Sequence, residues 1–386
     1  MVSTEAVLLT CIIDAREGRD VAIADIPGAF MQADIDEMIH IRLDGDLVNL
    51  IIRLDPSYSD YIAYECGKPV VYTQPDKALY GTLQAAVLFW KKLTGFLTNK
   101  LGFIINEYDS CVANKTINGN QFTIIWHVDD LKLSHIDPEV VSHVISQLQN
   151  EFGNEAPLSV HRGKVFEDYL GMKVDFSRQG KVIFTMEDYI QRIMDETPEF
   201  MLKGSCSTPA ANHLFSVNEK LDPLPKDESD LYHHLTAKLL YVGKRARPDI
   251  QTAVSFLCTR VKAPTDDDMK KLGRCICYLM TTKDLPLTLE ADGSGVVKWW
   301  INASYAVHPN MRSHTGATMT LGKGCPYSIS SKQKVNTRSS TEAELVGVND
   351  GMALVLWTRL FLEAQGYTVC DNPGQSEHDA TRKQWT

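Results

Sequence analysis

Two adjacent aspartates, Asp129 and Asp130, follow the strand-forming run QFTIIWHV at residues 121–128 and precede the alternating LKLS. At about 4 Å in a surface-like dielectric, two carboxylates repel by roughly 4 kcal/mol. Solvated turn aspartates dissipate that repulsion in water, whereas a hard divalent cation with oxygen ligands offsets it directly. A third carboxylate, Asp25, ends the apolar run at residues 21–25, just before Ile26-Pro27-Gly28. Consecutive strand residues point to opposite faces, so Asp129 and Asp130 reach one site only at a bend. If the two strands are neighbours, Asp25 joins them. The set then suits two Mg²⁺ ions about 3.5–4 Å apart, which activate a hydroxyl nucleophile and stabilise the leaving oxygen in phosphoryl transfer.

The elements that must position these groups are legible as patterns. Residues 3–18 read as a helix that Ser3 caps and Gly18 ends. Residues 39–43 alternate as a strand, and residues 76–101 carry helical spacing up to Gly102. The two aspartates fall at the bend of a hairpin, and a helix follows over 137–152. Two further strands, 169–176 and 181–186, flank the turn 177–180. A polar, Pro-containing linker covers 204–230, and helical spacing returns over 231–282 with breaks at Pro248 and Pro264. Strands and turns then alternate up to a helix over 340–366, and the tail from 371 has no period.

Composition sets the class. Of 386 residues, 44% are hydrophobic and 23% charged, as in a soluble globular protein. Nine cysteines without a C-x-x-C pattern argue for reduced thiols in an intracellular protein, cytoplasmic or nuclear, and against a zinc site. No apolar stretch approaches the ~20 residues of a membrane helix, so no membrane partner is expected. The net charge of −10 counts against a nucleic-acid binder. Locally the balance reverses, with nine Lys/Arg against four Asp between Lys238 and Arg274.

Four segments in order, DIPGAFMQADIDEMIHIRL, KALYGTLQAAVLFWKKL, WHVDDLKLSH and YLGMKVDF, resemble the reverse transcriptase of copia-type retrotransposons. The resemblance runs from about Ser3 to about Gly366. It implies an α+β fold: a right-hand polymerase palm (an antiparallel sheet with packed helices) with partial fingers and primer grip over 1–200, a linker over 201–230, a helical thumb or connection over 231–295, and a truncated ribonuclease H-like α/β domain over 296–386. It implies Asp25, Asp129 and Asp130 as catalytic metal ligands for two Mg²⁺. Phe30 matches the aromatic that crowds the sugar 2′ position and so selects dNTPs. Gly81 and Gln84 fall in the helix that supports template and nucleotide. His127 stands where many relatives have tyrosine. Lys244, Arg245 and Arg247 are candidates for phosphate contacts. The implied partners are an RNA template, a DNA primer strand and dNTPs. A second copy or the remainder of a polyprotein would be the protein partner, in a particle-associated or nuclear setting.

The C-terminal block, with WWINASY and RSSTEAELVGV, resembles the family's ribonuclease H domain but departs from it. Asn302 stands where the first metal-binding aspartate belongs, and an amide is a poorer Mg²⁺ ligand than a carboxylate. Glu344 matches the second ligand, and Asp371 is the candidate for the third. Cleavage of RNA by this block is therefore expected to be lost. Two classes remain for the chain: an RNA-directed DNA polymerase, impaired by truncation, or a non-catalytic retrotransposon remnant that still binds nucleic acid.

Overall fold

The computed structural model describes residues 1–82, 84–202 and 204–369, with the backbone of Lys383–Gln384. The fold is mixed α/β with antiparallel sheets. Labels follow chain order. A six-stranded sheet runs β5 (Ile104–Asn106), β6 (Asp109–Ile117), β7 (Asn120–His127), β8 (Asp130–His135), β1 (Asp20–Asp25), β9 (Ser159–Arg162). A five-stranded sheet runs β10 (Val165–Tyr169), β11 (Met172–Asp175), β12 (Lys181–Thr185), β13 (Leu287–Ala291), β16 (Gly322–Lys323). A three-stranded sheet, β14 (Lys298–Ser304), β15 (His314–Thr320), β17 (Tyr327–Lys332), forms the C-terminal layer. A small sheet of β2 (Ile41–Asp44), β4 (Lys68–Thr73) and β3 (Ile62–Glu65) stands apart, next to helix α2 (Asp46–Leu54).

Helix α1 (Thr4–Glu17) begins at Ser3, whose hydroxyl accepts from the Ala6 N–H at 3.2 Å, and ends at Gly18 in the left-handed region. It is buried on nearly every side. One flank packs on β12 and β13, and the other ties to β8 through Asp14 and Lys132, so α1 lies between the two large sheets. Helix α4 (Pro138–Phe152) covers β1 and β8 with Val141, Val144, Leu148 and Phe152, an apolar stripe at helical spacing. Strand β7 buries Phe122, Ile124 and Trp126 together with Thr123 and Ile125, so both faces of the central sheet are covered.

Three expectations need correction. The helix expected over 76–101 is only α3 (Ala85–Gly95), continued by a π-turn at Phe96–Lys100. The stretch before it is a loop in which Gly81 takes φ +94°, outside the helical region. The linker is shorter than its polar composition suggested: α6 (Lys226–Gly243) already begins on Pro225, with Asp227 and Glu228 in its first turn. Finally, α9 (Ser340–Ala364) is long and apolar enough to cross a membrane, against the expectation that no segment is. Its Gly347 and Gly351 face β14 and β15: Gly351 lies so close to Ile301 that a Cβ there would stand 2.7 Å from that side chain.

The remaining helices, α5 (Glu187–Glu196), α7 (Gln251–Cys258) and α8 (Asp266–Thr281), pack with α6, and α7 lies against β17. The C-terminal layer docks on the first sheet by polar contacts: Trp357 Nε1–H donates to Tyr108 O at 3.0 Å, and Gln121 donates to Gln365 O at 2.7 Å. The eight cysteines among the described residues are all free thiols.

Candidate functional site

Strands β1 and β8 pair antiparallel with Asp25 directly opposite Asp130. The Ile26 N–H donates to Asp129 O at 3.2 Å, which carries the pairing one residue beyond the strand. Strand β9 flanks the other side, with Ser159 opposite Asp25. The hairpin closes with His127 opposite Asp130, leaving Val128 and Asp129 as a two-residue turn. Val128 takes φ +62°, a conformation that costs a β-branched residue on the order of 1–3 kcal/mol. That turn puts Asp129 at the tip and Asp130 at the first strand position, so carboxylates from two strands and one bend share one edge of the sheet.

Their electrostatics agree with that proximity. Burial, then Asp129, raises the Asp25 pKa above its ordinary value. Burial first, and then Asp129, Asp25 and Asp168, push Asp130 up to about 6. Burial, followed by Asp129 and Asp25, also raises the Tyr80 hydroxyl. Among the described residues no three His, Cys, Asp or Glu groups converge on a common point as metal ligands would. Uncompensated like charges splay apart, so adjacency without convergence is the arrangement that repulsion favours. All the donors are hard carboxylate oxygens, which is the donor set that Mg²⁺ takes. In donor chemistry, though not in convergence, the three carboxylates match such a cation.

Phe30 lies in the short helical turn Ala29–Gln32 that follows Gly28, and its ring packs on Tyr80 at 4.5 Å. Gly81 follows Tyr80 in the loop, and Gln84 sits at the start of α3, where its carbonyl accepts from Leu88 N–H at 2.9 Å. Two residues that the sequence reading passed over enter the site. Tyr80 packs on Phe30, and its hydroxyl feels the charges of Asp129 and Asp25. Asp168 accepts from the Gly171 N–H at 2.9 Å and lines, with Asp25, His127, Asp130 and Arg245, a cavity of about 580 Å³. An aromatic or acid before a glycine turn was the available signal for each.

The three basic candidates divide. Lys244 is exposed and Arg245 half-buried beside the cavity. Arg247 is 1% exposed and does not face solvent: it is paired with Asp249 at 2.7 Å and donates to Thr282 O at 2.7 Å, so its role is structural. In the C-terminal layer, Asn302 Oδ1 and Glu344 Oε2 both accept from the Ala303 N–H, at 2.9 and 3.0 Å. β14 and α9 thus bring these two together. The short strand Tyr367–Thr368 pairs with Lys383–Gln384 and not with β14. Asp371 lies outside the described residues.

Residues 1–211 match the family described as reverse transcriptase (RNA-dependent DNA polymerase). A transposon Ty5-1 protein of Saccharomyces cerevisiae is 26% identical over 328 residues, covering 84% of this chain and 98% of that protein. The retrovirus-related Pol polyprotein from transposon RE2 of Arabidopsis thaliana is 24% identical over 362 residues, 91% of this chain and 23% of the polyprotein. The transposon Ty1-ER2 Gag-Pol polyprotein of Saccharomyces cerevisiae is 23% identical over 344 residues, 86% of this chain and 18% of the polyprotein. The chain thus spans about a fifth of the Pol polyproteins it matches. A prototype foamy virus protease-reverse transcriptase overlaps 87% of this chain and 36% of its own at 16% identity and a TM-score of 0.24, a likeness too weak to argue from.

Proposed function

We propose, from the premise that this chain belongs to the reverse transcriptase (RNA-dependent DNA polymerase) family and corresponds to that region of copia-type retrotransposon polyproteins, that it carries an RNA-directed DNA polymerase site at Asp25, Asp129 and Asp130. The observation that carries the reading is the register Asp25 opposite Asp130 with Asp129 at the adjoining turn. In this reading the first two large sheets are the palm and primer grip, α6–α8 the thumb or connection, and β14–β17 with α9 a ribonuclease H-like layer.

Asp25 and Asp129 would hold two Mg²⁺ ions, with Asp130 at the periphery. Bound there, the ions would supply charge neutralisation at the α-phosphate and lower the pKa of the primer 3′-hydroxyl. The chain's own groups do the positioning. Phe30, buttressed by Tyr80, closes the side of the site where a ribose 2′-hydroxyl would sit and so favours a dNTP. Gly81 and Gln84 border the path of the template and incoming nucleotide. His127, whose pKa burial lowers, stays neutral at physiological pH and offers a hydrogen bond without adding charge. The RNA template and DNA primer strand are the macromolecular partners. The setting is intracellular, in a cytoplasmic particle or the nucleus.

A second reading applies to the C-terminal layer alone. Asn302 and Glu344 meet over one backbone N–H with a single carboxylate between them, which favours a ribonuclease H-like site that no longer cleaves. Primer extension on an RNA template with Mg²⁺ and dNTPs tests the polymerase reading. Incorporation by the wild-type chain and none by Asp129→Asn supports it. Equal traces from both identify a non-catalytic remnant.

A further inference from the structure

Arg245 stands where two cavities meet. The first, about 580 Å³, holds Asp25 and Asp130. The second, about 590 Å³, opens between α6, α7 and β17 and is lined by Lys244, Lys332 and Lys334 as well as Arg245, against Glu5 and Asp350. Among the described residues, none of these four cations has a carboxylate at ion-pair distance, although the chain as a whole carries a net charge of −10. A half-buried guanidinium without a counter-charge is costly to keep, and burial does pull the Arg245 pKa down.

What holds Arg245 there is a stack of rings. Its guanidinium carbon lies 3.5 Å from the centroid of the Tyr241 ring, which stacks on Tyr189 at 4.8 Å, and Arg192 closes the far end 5.2 Å from Tyr189. The stack joins α5 to α6, two helices that Lys238 and His234 also tie together through Glu196. The other edge of Tyr241 grips the turn between β10 and β11. Its hydroxyl donates to Leu170 O at 2.8 Å, and both turn residues are left-handed, Leu170 at φ +54° and Gly171 at φ +76°. A Cβ on Gly171 would come within 2.6 Å of that hydroxyl, so only glycine lets the tyrosine close over the turn. The same turn carries Asp168 and Tyr169 into the carboxylate cavity.

We propose that Tyr241 and Arg245 act as one unit: Tyr241 positions the Leu170–Gly171 turn, and Arg245, held flat on the Tyr241 ring, binds a phosphodiester group of the strand whose 3′ end lies at Asp25 and Asp129. This rests on the polymerase reading above. A stacked guanidinium is already oriented and presents a fork that matches two phosphate oxygens. The lysines of the second cavity lie along the onward course of the same backbone. Tyr241 touches no reacting group, so it is a positioning residue; its effect passes through the turn.

The test pairs binding with chemistry. Anisotropy of a labelled DNA primer on an RNA template is followed from about 50 to about 200 mM salt, and single dNTP incorporation with Mg²⁺ is timed separately. Arg245→Gln is expected to weaken binding roughly tenfold and to lower the salt slope by about one. Arg245→Lys should recover the slope but only part of the affinity. Tyr241→Phe should keep slope and dNTP KM while lowering the rate at saturating dNTP roughly three- to tenfold. Wild-type affinity and slope in Arg245→Gln, or a wild-type rate in Tyr241→Phe, overturns the unit. If Arg245→Gln loses its native circular dichroism, Arg245→Lys decides: reduced affinity supports the unit, and wild-type affinity overturns it. Asp129→Asn separates the two claims. A wild-type chain that shows the predicted slope yet matches Asp129→Asn in incorporating nothing sinks the polymerase reading and leaves the phosphate contact standing.

Discussion

Asp130 and Lys132 are two residues apart on β8 and project from the same face, yet the fold treats them oppositely. Lys132 is buried and ion-paired with Asp14 of α1, also buried. Beside them Arg19 reaches Asp14 at 3.8 Å, Glu17 at 2.9 Å and the Thr123 hydroxyl at 3.0 Å. Every charge in that patch has a partner. At Asp130 partial burial first, and then the carboxylates of Asp129, Asp25 and Asp168, raise the pKa to about 6. A helix that can neutralise one end of a strand leaves the other end repelling itself. The difference teaches that unpaired charge here is local, and is not a general failure of the fold to supply counter-charges; the proposed cation site would use it.

The comparison can be broken from either side. The largest effect is expected at the open end: Asp129→Asn should cut dNTP incorporation by about 10³-fold, the loss of several kcal/mol of transition-state stabilisation, while leaving the urea midpoint unchanged or slightly raised. At the neutralised end, Lys132→Met strands Asp14 in the core and should destabilise by about 3–5 kcal/mol in urea unfolding. A third way of handling charge appears at His308 and His314, buried and hydrogen-bonded at 3.0 Å, both held neutral with pKa values near 4, chiefly by burial. Their folded values lie below the unfolded value of 6.5, so the unfolded chain binds more protons in between. Stability is complete above about pH 6.5 and falls toward pH 4, by on the order of 3 kcal/mol for each histidine; a His308→Gln, His314→Gln double variant should flatten that loss. The smallest effect is at the C-terminal layer. Asn302→Asp sets a second carboxylate beside Glu344 and should lower stability by about 1 kcal/mol, a deficit that Mg²⁺ reverses in a thermal melt if the two sides share a cation.

Legibility followed the range of the interactions. The hairpin was readable because QFTIIWHV is rich in β-branched and aromatic residues and the aspartates interrupt it. The meeting of Asp25 with that bend stayed conditional on the two strands being neighbours, because adjacency of β1 and β8 is a long-range pairing that no local pattern encodes. The loop before α3 was misread because Ala78, Leu79 and Ala85 satisfy helical spacing, while the left-handed Gly81 that breaks it carries no hydrophobic signal. Arg247 was misread because a cation in KRARP looks solvated, whereas Pro248 starts a new turn and Arg247 folds inward to Asp249 and Thr282. Tyr80 and Asp168 depend on segments distant in sequence: Tyr80 packs on Phe30, 50 residues earlier, and Asp168 comes near Asp130, 38 residues earlier.

The most direct measurement is a carboxyl ¹³C NMR titration of aspartate-labelled protein, assigned with Asp130→Asn and repeated with Mg²⁺. The account predicts that Asp130 titrates near pH 6 without Mg²⁺ and shifts to lower pH when the cation is added. A midpoint near the ordinary 3.8 that Mg²⁺ leaves in place would contradict it.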